Sequence, residues 1–208
     1  MKRILLPVAI AAAVLGTAAC ERSTTAARTD DLTLDEAVAV ATQMGSLTVT
    51  TLGATGGGLF SVSPDEAAPV FTSSSMTVPF DNTALCPRGG ALAVKGQADV
   101  VWDAATRTGT VDVSATSTPA QCAAENGKGA VLTFTGDPST QVHATGSSTS
   151  GLPGKLTVTQ KGAFKWQRTG GASGRCAVDL TSVADPATQT LHVTGSFCGI
   201  AVDATRSR

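Results

Sequence analysis

Two long stretches of this chain alternate strictly between apolar and polar residues, and that alternation constrains the fold more than any other feature. Leu92, Val94, Gly96, Ala98, Val100 and Trp102 share one parity, while Ala91, Ala93, Lys95, Gln97, Asp99 and Val101 share the other. Leu156, Val158, Gln160, Gly162, Phe164 and Trp166 alternate in the same way with Thr157, Thr159, Lys161, Ala163, Lys165 and Gln167. Successive side chains of a strand point to opposite faces, so this period gives one dry face and one wet face. One wet and one dry face is what an antiparallel sheet covering a single core requires. Further strands are expected at 70–78, 109–116, 130–136, 140–146, 175–183 and 189–197. Turn-forming residues separate them at 103–109, 137–139, 151–154, 169–174 and 185–186. Connections this short join antiparallel neighbours and leave little room for crossover helices. The expected class is mainly β: an antiparallel up-and-down sheet forming a sandwich or a curled half-barrel.

The strands hint at an internal repeat. Leu92, Val94 and Trp102 match Leu156, Val158 and Trp166 in spacing; Val111-Asp112-Val113 is like Val178-Asp179-Leu180; and Leu132 to Gly136 is like Leu191 to Gly195. The order is the same in both halves, as two three-stranded units at about 90–136 and 155–195 would give.

Ahead of the strands lies one helical signal. Thr33-Leu34-Asp35-Glu36 has the form of a capping box, in which the Thr33 hydroxyl accepts from the Glu36 N–H and the Glu36 carboxylate reaches back to Thr33. Leu34, Ala37, Val38, Ala41 and Met44 then fall on one face, and Gly45 offers a stop, so a short N-terminal helix is expected over about 34–44. The run Gly53 to Gly58 reads as a loop or linker. It lacks the Lys-Ser/Thr and the following helix that a phosphate-cradling loop needs.

The start of the chain carries an export signal. Lys2 and Arg3 precede an uncharged stretch from Ile4 to Leu15, then small residues and Cys20. The apolar core is about a dozen residues, short of the roughly 20 that span a bilayer. Small residues followed by cysteine resemble the bacterial lipoprotein signal class, and the resemblance covers residues 1–20. It implies cleavage of residues 1–19, a lipid on Cys20 that becomes the mature N-terminus, and residence at the bacterial cell envelope on the periplasmic or surface side of a membrane. Residues 20–31 then form anchor and polar tether, and 32–208 a single β-rich domain.

Cysteine number fits this division. The chain has five: Cys20, Cys86, Cys122, Cys176 and Cys198. A lipid on Cys20 leaves four, which an oxidising compartment can join as two disulfides. The midpoint of Cys176 and Cys198 falls in the turn at 185–188, so a hairpin there sets them opposite one another. Their parities disagree, however, and a one-residue bulge at Gly195 would restore the phase. The midpoint of Cys86 and Cys122 lies just after Trp102. The expected pairs are Cys86–Cys122 and Cys176–Cys198.

Chemistry is thinly represented. Of 15 basic residues two lie in the leader, leaving 13 against 16 acidic ones, a net of −3. No basic patch supplies the footprint of a nucleic-acid binder. There is no G-x-S-x-G elbow and no C-x-x-C. His143 and His192 are the candidate bases, and both alternate with apolar neighbours in a way that places them on the wet face. The carboxylates Asp99, Asp103, Asp112, Glu125, Asp179 and Asp185 are scattered and mostly beside turns, so they form no acid–base pair in the sequence. No dense D-x-D-x-D loop offers a calcium site, and no metal or cofactor is expected. Trp102 and Trp166 fall on the dry parity and read as core. The function expected is that of a non-enzymatic envelope element with a structural or protein-interaction role. A carrier of apolar ligands, using space left by Gly96, Ala98 and Gly162, is the alternative, and a hydrolase with a dispersed site the third.

Overall fold

The computed structural model describes residues 32–60, 73–150 and 152–207. Residues 1–31, on which the expected export signal, anchor and tether fall, lie outside them. One helix, α1 (Leu34–Phe60), precedes nine strands: β1 (Ser73–Leu85), β2 (Ala91–Asp103), β3 (Thr108–Ala120), β4 (Cys122–Glu125), β5 (Val131–Thr149), β6 (Leu152–Arg168), β7 (Ser173–Asp185), β8 (Thr190–Phe197) and β9 (Ile200–Ser207). All pair antiparallel in one sheet of order β1-β2-β3-β5-β6-β7-β8-β9, with short β4 beside the start of β5. The sheet is mainly β, up-and-down and curled, as its period-two pattern requires. It is open, with β1 and β9 as its edges.

The curl is evident from what α1 touches. The helix contacts β1 and β2 near one edge and β7, β8 and β9 near the other. The concave face therefore wraps around it. Ala37, Val40, Ala41, Met44, Val49 and Leu52 are buried along it against the dry parity of the strands. Phe134, Phe164 and Phe197, from β5, β6 and β8, meet at ring-centroid distances of 6.1–6.5 Å in the same core. Rings at these tilts add to the burial that drives the packing.

Three features differ from the sequence reading of the helix and sheet. The helix does not stop at Gly45. A β-carbon there would stand 2.6 Å from Ser182 Oγ and 3.2 Å from Val193 Cγ2, so this glycine is a point of close approach to β7 and β8. Nor is the Gly53–Gly58 run a loop: its backbone continues the helix to Phe60 in spite of weak helix propensity. Thr42, Thr48 and Thr51 fit into this mostly buried helix because their hydroxyls donate to carbonyls four residues back. Third, the stretches 130–136 and 140–146 are one strand, β5, interrupted at Gly136–Thr140 where residues 137–139 leave the ladder with β6.

The edge strand β1 contains Pro79 opposite Gln97. Proline has no N–H to donate, so its nitrogen belongs on the solvent side of an edge. It interrupts the outward row of donors and guards β1 against strand addition.

The turns after β2 and β7 share one design. Asp103-Ala-Ala-Thr-Arg-Thr and Asp185-Pro-Ala-Thr-Gln-Thr each place their penultimate residue, Arg107 or Gln189, at φ 53°. Asp103 Oδ1 accepts from the Ala105 N–H and Asp185 Oδ1 from the Ala187 N–H. The Thr106 hydroxyl, then the Thr106 and Ala105 N–H groups, hold the Asp103 carboxyl below its usual range. This likeness aligns β2–β3 with β7–β8, whereas the sequence spacing aligns β2–β3–β5 with β6–β7–β8. The two alignments do not coincide.

The start of α1 is fixed to the sheet by one carboxylate. Glu36 is only 5% exposed. Its Oε2 accepts from the Thr33 N–H at 2.9 Å and from Arg168 Nη2 at 2.9 Å, and its Oε1 accepts from Asn126 Nδ2 at 2.7 Å. Burial by itself would raise the Glu36 pKa; the bonds from the Thr33 backbone, Asn126 and the Thr33 hydroxyl, together with Arg168, outweigh it and leave it lowered. A lowered folded pKa adds stability above the unfolded value and loses it as pH falls through the folded value. Glu36→Ala is expected to lower unfolding free energy by about 3 kcal/mol, the order found when one partner of a buried pair is removed. Urea titrations at neutral pH and below pH 4 check this: the gap between parent and variant narrows on the acid side.

Candidate functional site: the convex face and the disulfide-bonded end of the sheet

Neighbouring strands run in opposite directions, so the sheet has two distinct ends. One end holds the β1–β2, β5–β4, β6–β7 and β8–β9 connections and the start of α1. The other holds the Asp103 and Asp185 turns and the end of β9.

Both disulfides are at the first end. Cys86 joins Cys122 with Cα atoms 5.4 Å apart, and Cys176 joins Cys198 at 4.3 Å. The phase mismatch at Cys198 is not corrected by a bulge at Gly195, because β7 and β8 pair without interruption from Val178↔Phe197 to Asp185↔Thr190. Cys198 instead leaves the strand. With Gly199 it forms the two-residue turn into β9, at φ 55° and 78°, and its N–H donates to the Ala177 carbonyl. Two successive left-handed residues mark a type I′ hairpin, and the non-glycine member is the one held by sulfur. Gly195, at φ 127°, is a close approach: a β-carbon there would lie 2.1 Å from the Asp179 carbonyl oxygen.

The two histidines lie on the convex face. His143 Nδ1 is 3.1 Å from the Val113 carbonyl and 3.5 Å from Asp112 Oδ1, and Ser114 is its cross-strand partner. His192 Nε2 is 2.8 Å from Asp203 Oδ1, with Val183 and Thr205 opposite. The imidazoles are 52% and 46% exposed. Catalysis by such a set needs preorganised donors and a water-excluding wall, which an outward-curving sheet surface does not provide. Of the carboxylates, Asp99 and Asp112 are directly opposite one another, Asp99 accepting from the Thr77 hydroxyl. Glu125 pairs with Arg88 and Asp179 with Lys161, while Asp103 and Asp185 brace their turns. Among the described residues no group of three His, Cys, Asp or Glu is placed to hold a metal ion.

Trp102 and Trp166 end antiparallel strands and so stand at opposite ends of the sheet, not at equivalent ones. Trp102 lies over Gly109, where a β-carbon would come within 2.8 Å of its ring. Trp166 packs beside Arg168, whose guanidinium is 5.7 Å from the ring centroid.

A depression of about 600 Å³ opens on the convex face over the ends of β5, β6 and β7. Two cross-strand rows form its floor: Thr133, Gln167 and Ser173, then Thr135, Lys165 and Arg175. Residues 137–139, displaced from the ladder, place Asp137 where it pairs with both Lys165 and Arg175. On the opposite, buried face Gly174 is a point of close approach: a β-carbon there would be 2.9 Å from Trp166 Nε1. The sequence marked these positions as wet-face residues but not as a depression, because the ladder of β5 with β6 is interrupted at Gly136–Thr140 beside them.

Closing loops of 36 and 22 residues is worth about 3–4 kcal/mol each in the chain-entropy model. Replacing Cys176 and Cys198 together by Ser is therefore expected to lower stability by about 3 kcal/mol. It also frees the strained turn, so amide exchange at Ala177–Val178 and Ile200–Ala201 rises more than at the Asp103 turn. A comparison with known protein families, with curated proteins and with solved structures finds no match to this chain.

Proposed function

We propose that this is a non-enzymatic module of the bacterial envelope, held to a membrane by a lipid on Cys20 and serving a structural or protein-interaction role. The observation that carries the reading is the way the concave face is used. Over residues 32–53 the helix, with Phe134, Phe164 and Phe197, occupies it. Gly96 and Gly162, which a carrier of apolar ligands would use as empty space, are instead close strand contacts. A β-carbon on Gly96 would lie 2.6 Å from the Ala115 side chain, and one on Gly162 2.9 Å from the Thr140 backbone. What remains for interaction is the polar exterior. The imidazole–carboxylate pairs there are open to water, which favours binding over catalysis.

Two disulfides accord with an oxidising compartment. Both staple the end from which the chain runs back to Cys20, so the anchored end is the covalently reinforced one.

Detergent-phase partitioning of the full chain from a bacterial host tests the anchor. The parent chain is expected in the detergent phase, with an intact mass showing cleavage before Cys20 and added acyl groups. Cys20→Ala moves to the aqueous phase. Finding Cys20 in a disulfide, or an unmodified mature N-terminus, overturns the anchor.

A further inference from the structure

We propose that β9 is a dimerisation edge: two copies of this chain join their sheets by antiparallel pairing of β9 with β9 about a two-fold axis at Ala204. This rests on the protein-interaction role above and deepens it by naming the partner.

The phase of the strand comes first. Cys198 and Gly199 form a two-residue turn, so Phe197 and Ile200 are a hydrogen-bonded pair. The Cys198 N–H, which donates to Ala177 on β7, fixes the same phase independently. Main-chain groups alternate in direction along a strand. Ile200, Val202, Ala204 and Arg206 therefore bond to β8, while Ala201, Asp203, Thr205 and Ser207 turn their N–H and C=O groups away from it. β9 is the last strand of an open sheet. Among the described residues no turn or loop main chain bonds to this outward row, and all four of its residues are exposed.

The two edges of the sheet differ. β1 carries Pro79. β9 has no proline, no lysine and no bulge, the devices that ordinarily blunt an edge. A free row of backbone donors and acceptors is completed by an extended strand.

Self-complementarity identifies that strand as a second copy, because a two-fold contact pairs a surface with itself. With Ala204 on the axis, Asp203 lies opposite the partner's Thr205, and Ala201 opposite the partner's Ser207. Each outward pair exchanges two bonds, about eight across the joint. The partner's Thr205 hydroxyl can donate to the Asp203 carboxylate, and the two carboxylates stay apart. A register centred on Asp203 would set like charges face to face, which is destabilising. On the concave side the axis falls on a methyl group, so nothing bulky holds the strands apart. The strand is also ordered in advance: Val202 is buried and α1 packs against β9. A stiff edge loses little entropy on pairing.

Sedimentation equilibrium of the full chain in density-matched detergent tests the proposal. The parent is expected at twice the monomer mass at about 50 μM chain. Thr205→Pro removes an outward N–H that β8 does not use, as an edge tolerates. It is expected at the monomer mass with an unchanged melting curve. Ala204→Cys gives a second readout that does not depend on how proline is accommodated. Facing residues of a non-bonded antiparallel pair have Cα atoms about 4.5 Å apart, within disulfide reach. Mild oxidation is expected to give a covalent dimer whose peptide map joins position 204 to position 204. A parent that stays monomeric at about 500 μM, a dimer that survives a folded Thr205→Pro chain, no link at position 204, or a link from there to a different polypeptide overturns the proposal. Mass and detergent-phase partitioning are separate readouts, so the dimer and the Cys20 anchor can fail independently.

Discussion

An antiparallel sheet with one dry face must cover that face, and here a single buried helix does so. The rest of the structure depends on this. A flat sheet of eight successive strands would leave apolar rows on its outer strands in water. Curling brings β1–β2 and β7–β9 to the same helix, so one element seals the work of many strands. The helix in turn can be rich in Thr, Ala and Gly, because its surroundings hold it. Its start is bound through Glu36 to Asn126 and Arg168, which lie on the sheet's own margin.

Strand identity was legible in the sequence because alternation is a local property. Leu92 to Trp102 and Leu156 to Trp166 have their faces assigned by parity alone, and the structure keeps both except at Gly162, which is exposed, and Ala163, which is buried, beside the break in β5. The cysteine pairs were legible for a related reason, since hairpin midpoints are arithmetic. What stayed hidden was context. Gly45 has the residue type of a helix stop, and only Ser182 and Val193, far away in sequence, make it a contact point. Cys198 has strand neighbours on one side, and its left-handed turn is visible only once β9 exists. The short strands β4 and β9 carry too few alternating residues to stand out.

Of the candidate sites, the histidines were placed correctly on the wet face by their neighbours Val142, Ala144, Leu191 and Val193. Their carboxylate partners were not foreseeable, since Asp112 and Asp203 reach them through register across strands. The tryptophans looked equivalent because both end strands, and counting strand directions separates them to opposite ends. The groove lies beside a break in β5, which has no sequence signature of its own.

Neither disulfide includes α1. Cys86, Cys122, Cys176 and Cys198 all belong to the sheet and its connections, whereas the helix is retained by packing and by the Glu36 cluster. A pull along the N-terminal segment therefore enters the domain at the element without covalent restraint. The first groups met there are Thr33 and Glu36, held by hydrogen bonds and by the ion pair with Arg168. The sheet behind it stays cross-linked. The covalent cross-links thus all lie in the sheet, and the N-terminal helix is the element joined to it without one.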